Sequence, residues 1–261
     1  MKLYGKWPVL LFVALALPLS GCGFIQKLRA RDALNKGVRA FTEQKYEEAA
    51  QYFEQSISLD PEFKIAHTYL ATTYTSQFVP GSPDPKSNEM AHKAIQTFKD
   101  VLEIDKANPD INAMISIASL YYQLQEYDES KGWCRKIMEA DPNNAEALYR
   151  IAVINFDETL KKTGLQGENV EFLNSEEKAE AQGDIEEGLK ALDQALQIRP
   201  DYFDAMEYQN LLWREKAKFE RDPKVKNELI LQADRVAQKA LSLRLRAQEE
   251  EAKKPKKLGI K

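Results

Sequence analysis

Five positions recur in register along this chain. Gly37, Tyr46, Ala49, Phe53 and Pro61 are separated by 9, 3, 4 and 8 positions, and Ala118, Tyr127, Ser130, Cys134 and Pro142 repeat those spacings. Around them apolar residues return at three- and four-residue steps, and no stretch alternates as a strand would. The pattern predicts helix–turn–helix units. Small residues at Gly37, Ala71, Ala118 and Ala152 let each first helix approach its neighbour, and Ala49, Ala94 and Ser130 do the same for each second helix. Tyr74 and Tyr121 fill the gap between units. Pro61, Pro142 and Pro200 stand where a proline stops a helix. One such pair cannot bury its apolar face alone, so pairs must stack.

The spacing resembles the tetratricopeptide repeat (TPR), a 34-residue helix–turn–helix unit with a small residue in its first helix, Ala then Phe in its second, and a closing Pro. The resemblance covers about residues 30–248. It implies an all-α TPR solenoid, a right-handed superhelix of about five repeats with two insertions. The first unit spans residues 30–63 and the third spans 111–144 without interruption. In the second, Tyr74 to Ala94 is 20 positions instead of 9, and the surplus includes Pro80, Gly81, Pro83 and Pro85, a turn-rich loop. In the fourth, Asn155 to Gly188 is 33 positions instead of 9. Part of this surplus of 24 is the loop Thr163–Gly167, and the rest extends the second helix backwards from a cap at Asn174 and Glu177. The fifth unit opens at Phe203, puts Trp213 in the tyrosine slot, and ends in a capping helix over residues 223–248.

Ahead of the repeats, Lys2 and Lys6 precede an apolar run from Trp7 to Leu17, ended by Pro18. That run is far shorter than the ~20 residues a membrane-spanning helix needs, and it has the layout of a signal peptide. Leu19-Ser20-Gly21-Cys22 resembles the lipobox of bacterial lipoproteins. The resemblance implies cleavage after residue 21, lipidation of Cys22, and a short tether over 22–29. Gly23, where an Asp would favour inner-membrane retention, points to the outer membrane with the domain facing the periplasm. Residues 249–261 read as a basic disordered tail.

The chain has 37 basic and 41 acidic residues, and the signal segment holds only Lys2 and Lys6, so the remainder stands at 35 against 41. That balance argues against a nucleic-acid partner. With Cys22 acylated, Cys134 is the sole thiol, and burial as a small apolar side chain is its simplest role. His67 occupies a bulky packing position and His92 a solvated one. No histidine–cysteine spacing suits a metal, and no glycine-rich loop carries the Lys-Ser/Thr of a phosphate cradle. Without a nucleophile beside a base, neither an enzyme, a cofactor nor a small-molecule substrate is expected.

The groove is therefore the expected site, since first helices line the concave side of such a solenoid. Phase places Leu34, Val38 and Phe41 there from unit one and Ile115 and Tyr122 from unit three. Tyr149, Val153 and Phe156 follow from unit four, and Leu211 and Arg214 from unit five, with Thr68, Thr72, Thr75, Ser119 and Glu207 filling the remaining slots. Aromatic anchors of this kind serve peptide and helix partners. Leu34 and Val38 stand where TPR domains that clamp a carboxylate chain end use Lys and Asn, so that mode is not expected. The expected function is a lipid-anchored adaptor. Its architecture resembles the TPR lipoproteins of barrel assembly and of pilus secretin assembly. The alternative is a structural envelope protein that touches cell wall or lipid through Lys253–Lys261 and fills its own groove.

Overall fold

The computed structural model describes residues 17–253. The lysines and most of the apolar run of the signal segment, and the tail from Lys254 onward, lie outside the described residues, as does the side chain of Cys22. Ten α-helices and one 3-10 turn make up the described elements.

The first pair is α1 (Leu17–Thr42) and α2 (Tyr46–Leu59). α1 starts well before the repeat does, so residues 22–29, expected to be a tether, are helical. The reason is local: after Pro18, tolerated in a first turn, the sequence Gln26-Lys27-Leu28-Arg29-Ala30 consists of strong helix formers. Eight helical residues rise only about 12 Å. Repeat one closes as its spacing requires. Ala49 and Phe53 have no exposed surface, and a methyl on Gly37 would lie 2.5 Å from the Phe53 ring. The Ser56 hydroxyl donates to the Ala30 carbonyl at 2.7 Å, tying α2 to α1.

The second pair is α3 (Lys64–Gln77) and α4 (Pro85–Ile104). Its surplus residues are divided between the loop at 78–84 and a longer α4, which has 20 residues against 14 for α2. Asp84 caps α4 by accepting from the Lys86 amide, with Pro85 in the first helical position. The Ser87 hydroxyl bonds both backbone groups of Val79 and closes the loop.

At the third repeat, α5 (Ile111–Gln123) is the last helix of one compact unit and α6 (Tyr127–Ala140) the first of the other. Asp110 caps α5 through the Ala113 amide and also pairs with Lys64 at 2.9 Å. The fourth is α7 (Ala145–Thr163) and α8 (Ser175–Ile198), joined through the 3-10 turn Val170–Phe172. The cap expected at Asn174 is present as a full capping box: Asn174 accepts from the amides of Glu176 and Glu177, and Glu177 accepts from the Asn174 amide. The fifth pair is α9 (Phe203–Phe219) and α10 (Pro223–Lys253). α10 carries the chain as helix through residues 249–253, which were expected to belong to the tail.

The chain divides into two compact units, one ending at Glu126 and the other beginning at Tyr127. In the first, Leu34, Phe53, Ala66 and Leu70 form a cluster covered by Phe63, Tyr69 and Tyr74. In the second, Ile154, Ile185, Leu192, Met206 and Leu212 are fully buried. Burying a side chain of this size contributes about 1.5–3 kcal/mol. All seven small residues expected at helix crossings are buried. No described helix is long and apolar enough to cross a membrane.

Candidate functional site

The residues expected to line a groove fall in both units. In the first unit, Leu34 is buried in the core cluster, and Val38 and Phe41 pack against it half-buried. The Phe41 ring meets Tyr46 edge-on at 5.5 Å. These three side chains hold α1 to α2 and keep only part of their surface for a partner. Ile115 and Tyr122 are half-buried on α5, two turns apart and so on one helix face.

In the second unit the structure assembles an aromatic cluster. Tyr149 lies 5.1 Å from Tyr202 and 5.4 Å from Tyr208, and Phe156 meets Tyr208 edge-on at 5.7 Å. Each centroid distance suits the edge-on or tilted arrangement that ring quadrupoles favour. Tyr149, Phe156 and Tyr208 remain half-exposed, whereas Val153 between them is buried at 4% exposure and offers little surface. Burial pushes the hydroxyls of Tyr149, Tyr202 and Tyr208 above their ordinary value, so the cluster stays neutral at physiological pH. The Arg199 guanidinium stacks on Tyr202.

Leu211 is half-buried on α9. Arg214 is exposed on α9, and its guanidinium pairs with Asp234 of α10. Glu207 likewise pairs with Arg244 of α10. Tyr208, which phase did not select, joins the aromatic face through its contacts with Tyr149 and Phe156. The fifth repeat keeps the register read from sequence: Ala205, Met206, Gln209 and Leu212 are buried in α9 as Ala147, Leu148, Ile151 and Ile154 are in α7.

Behind this face runs a polar network. Lys131 pairs with Glu158 at 2.7 Å and donates to Asn155 at 3.2 Å. Asn155, with no exposed surface, passes its amide to Glu187 at 3.0 Å, and Arg135 meets the same carboxylate at 3.1 Å. The insertion is anchored beside it: Thr163 donates to the buried Glu215, and Lys218 donates to Glu215 and to the Gly164 carbonyl at 2.7 Å.

The remaining candidate chemistry is occupied with packing. His67 is buried, its Nε2 2.9 Å from the Pro61 carbonyl. His92 is exposed and lies 3.7 Å from Glu126. Cys134 is buried, and burial pushes its thiol up to about 12. A reactive cysteine needs the opposite shift. Among the described residues no three His, Cys, Asp or Glu side chains group as metal ligands.

Comparison with known proteins bears on this arrangement. Residues 34–63 and residues 87–152 each match the tetratricopeptide repeat. The chain carries TPR repeats. Its all-α fold is of the TPR solenoid class. The crystal structure of MamA protein superposes with a TM-score of 0.58 at 14% identity, over 85% of this chain and 94% of that one. MamA from Desulfovibrio magneticus RS-1, residue 41 to the end, superposes with a TM-score of 0.54 at 12% identity, over 87% and 98%. At such identities the likeness is one of fold. No curated protein matches the sequence. TPR folds serve as protein-interaction scaffolds, and no catalytic family is indicated.

Proposed function

We propose that this chain is a lipid-anchored TPR adaptor that holds a protein partner at the cell envelope. Cys22 carries the lipid, the membrane is the outer one, and the domain faces the periplasm. A helix or extended segment of the partner docks on the half-exposed aromatics of the first helices. The observation that carries the reading is the cluster of Tyr149, Phe156 and Tyr208, three neutral rings left half-exposed on α7 and α9. Rigid aromatic anchors gain contact area at little entropic cost, which is why binding faces use them. The Leu19-Ser20-Gly21-Cys22 segment supports the anchor. Assembly of outer-membrane, pilus or secretion complexes is the setting that this combination suits.

The test is capture of the partner from envelope extracts by the full chain. Tyr122→Ala and Phe156→Ala leave the Tyr149–Tyr202 contact in place, and Phe156→Ala gives up its edge-on contact with Tyr208, so the fold of each variant is checked alongside its binding. Capture should fall at least tenfold with circular dichroism unchanged. Undiminished capture by both variants overturns the assignment.

A further inference from the structure

The insertion after α7 builds a second surface that the repeat does not need. It forms one wall of a cleft of about 380 Å3. Val170 and Phe219 supply its apolar lining, and Lys178, Arg221 and Lys226 supply cations from three separate segments. None of these three cations has a carboxylate within salt-bridge distance among the described residues. Their neighbours differ: Lys216 is paired with Glu186 and Lys218 with Glu215. The carboxylates at the cleft do not neutralise it. Glu220 is turned to the amides of Arg221 and Asp222, and Glu171 faces three uncompensated cations alone.

The same 3-10 turn that supplies Val170 thrusts Phe172 into solvent at 86% exposure, and Leu165 in the same insertion is 72% exposed. Phe172 directly follows the cleft residues Val170 and Glu171, so a large apolar side chain stands in water at the edge of a cationic cleft. It suits an amphipathic visitor.

We infer that this cleft binds an acidic protein segment, with its carboxylates on Lys178, Arg221 and Lys226 and an apolar side chain against Phe172. The cleft is concave, which fits a protruding peptide better than a flat lipid surface. The chain's own acidic run, Glu249 to Glu251, cannot fold back to it, because it lies on the same helix as Lys226, about 36 Å along at 1.5 Å per residue. The inference rests on the adaptor reading and gives that adaptor a second contact point. Electrostatic steering of this kind raises association rates and weakens with salt.

The experiment is selection of a randomised dodecapeptide library on the full chain, followed by titration of the enriched peptides. Three variants are compared with the unaltered chain: Lys178→Glu with Lys226→Glu, Phe172→Ala, and the groove variant Phe156→Ala. The expected result is enrichment of Asp and Glu around one apolar residue. Affinity should fall at least tenfold in the double charge variant and several-fold in Phe172→Ala. Peptides lost only in Phe156→Ala would uphold the groove and overturn the cleft. Peptides with no acidic bias, or bound equally by all variants, overturn the cleft as well. Charge-dependent binding to phosphatidylglycerol vesicles without acidic peptide binding would assign the cations to lipid and overturn the inference. All altered side chains at the cleft are partly or fully exposed, so loss of fold does not confuse the comparison.

Discussion

Gln44 and Gln125 adopt the same left-handed backbone conformation, each at φ +61°, at the same phase of two different repeats. Each follows a first helix and closes it identically. Gln44 donates to Phe41 and Lys45 to Ala40, while Gln125 donates to Tyr122 and Glu126 to Tyr121, all at 2.9 Å. This is the paired closure of a Schellman turn, whose left-handed residue is usually glycine. The sequence signal for it is weak, because glutamine is an unusual choice there.

The left-handed conformation costs a non-glycine residue about 1–2 kcal/mol. Gln44→Gly and Gln125→Gly should therefore each stabilise the chain by about 0.5–1 kcal/mol, after the greater chain entropy of glycine is deducted. Gln44→Val should destabilise it. Urea unfolding midpoints at constant slope measure both. A destabilising glycine would mean that the turn does not carry strain.

Gly37→Ala sets two effects against each other. Alanine favours helix by up to about 1 kcal/mol over glycine. The new methyl, however, would sit 2.5 Å from a phenyl ring with no exposed surface, Phe53. Overpacking of this kind costs about 1–3 kcal/mol, so a net loss is expected in thermal unfolding. Gly188→Ala meets one methyl of the buried Leu212 at 2.7 Å, where Gly37→Ala meets three atoms of a rigid ring, and should be milder.

Asn155 links Lys131 to Glu187 with its side chain wholly buried. Asn155→Ala should cost about 1–3 kcal/mol, because it leaves buried polar groups unsatisfied. A double-mutant cycle with Glu187→Gln should show coupling, and strict additivity would mean that the network contributes nothing as a unit.

Acid should weaken the fold. Burial alone would raise the carboxyls of Asp110 and Glu187, but bonds to Lys64 and the Ala113 amide, and to Asn155 and Arg135, outweigh it and hold both below their usual values. A lowered carboxylate contributes stability that is present above its unfolded value, about 4, and is lost as pH falls through its folded value. Burial raises Asp184 despite Lys131 and Lys162 nearby, so its protonation favours folding and partly offsets the loss. Unfolding free energy measured between pH 6 and pH 3 should therefore decline below pH 4. The decline should be shallower in Asp110→Asn.

Thiol chemistry tests the anchor. With Cys22 acylated and Cys134 buried, the native mature protein should show no thiol reactive to Ellman's reagent and one after denaturation. One reactive thiol in the native protein would mean that Cys22 is unmodified.

Helices, caps and the inward small residues were legible because repeats one and three keep strict phase and because Asn174 with Glu177 is a local signal. α1 was misjudged at its start, since a signal-like segment masks good helix formers behind Pro18. The aromatic face was legible at Tyr149 and Phe156 but not at Tyr208, which stands one position past the phase-assigned slot and is brought to them by the packing of α9 on α7. The Lys131–Asn155–Glu187 network was illegible for a different reason. Its members are 24 and 32 positions apart, and only the fold brings them together.

The most direct measurement is photocrosslinking in intact cells, with the photoreactive residue placed in turn at Tyr122 and at Phe156. One abundant protein adduct is expected from either position, identified by mass spectrometry and absent when the probe stands at exposed Glu47 on α2. No adduct, or adducts only within the chain itself, would contradict the adaptor reading.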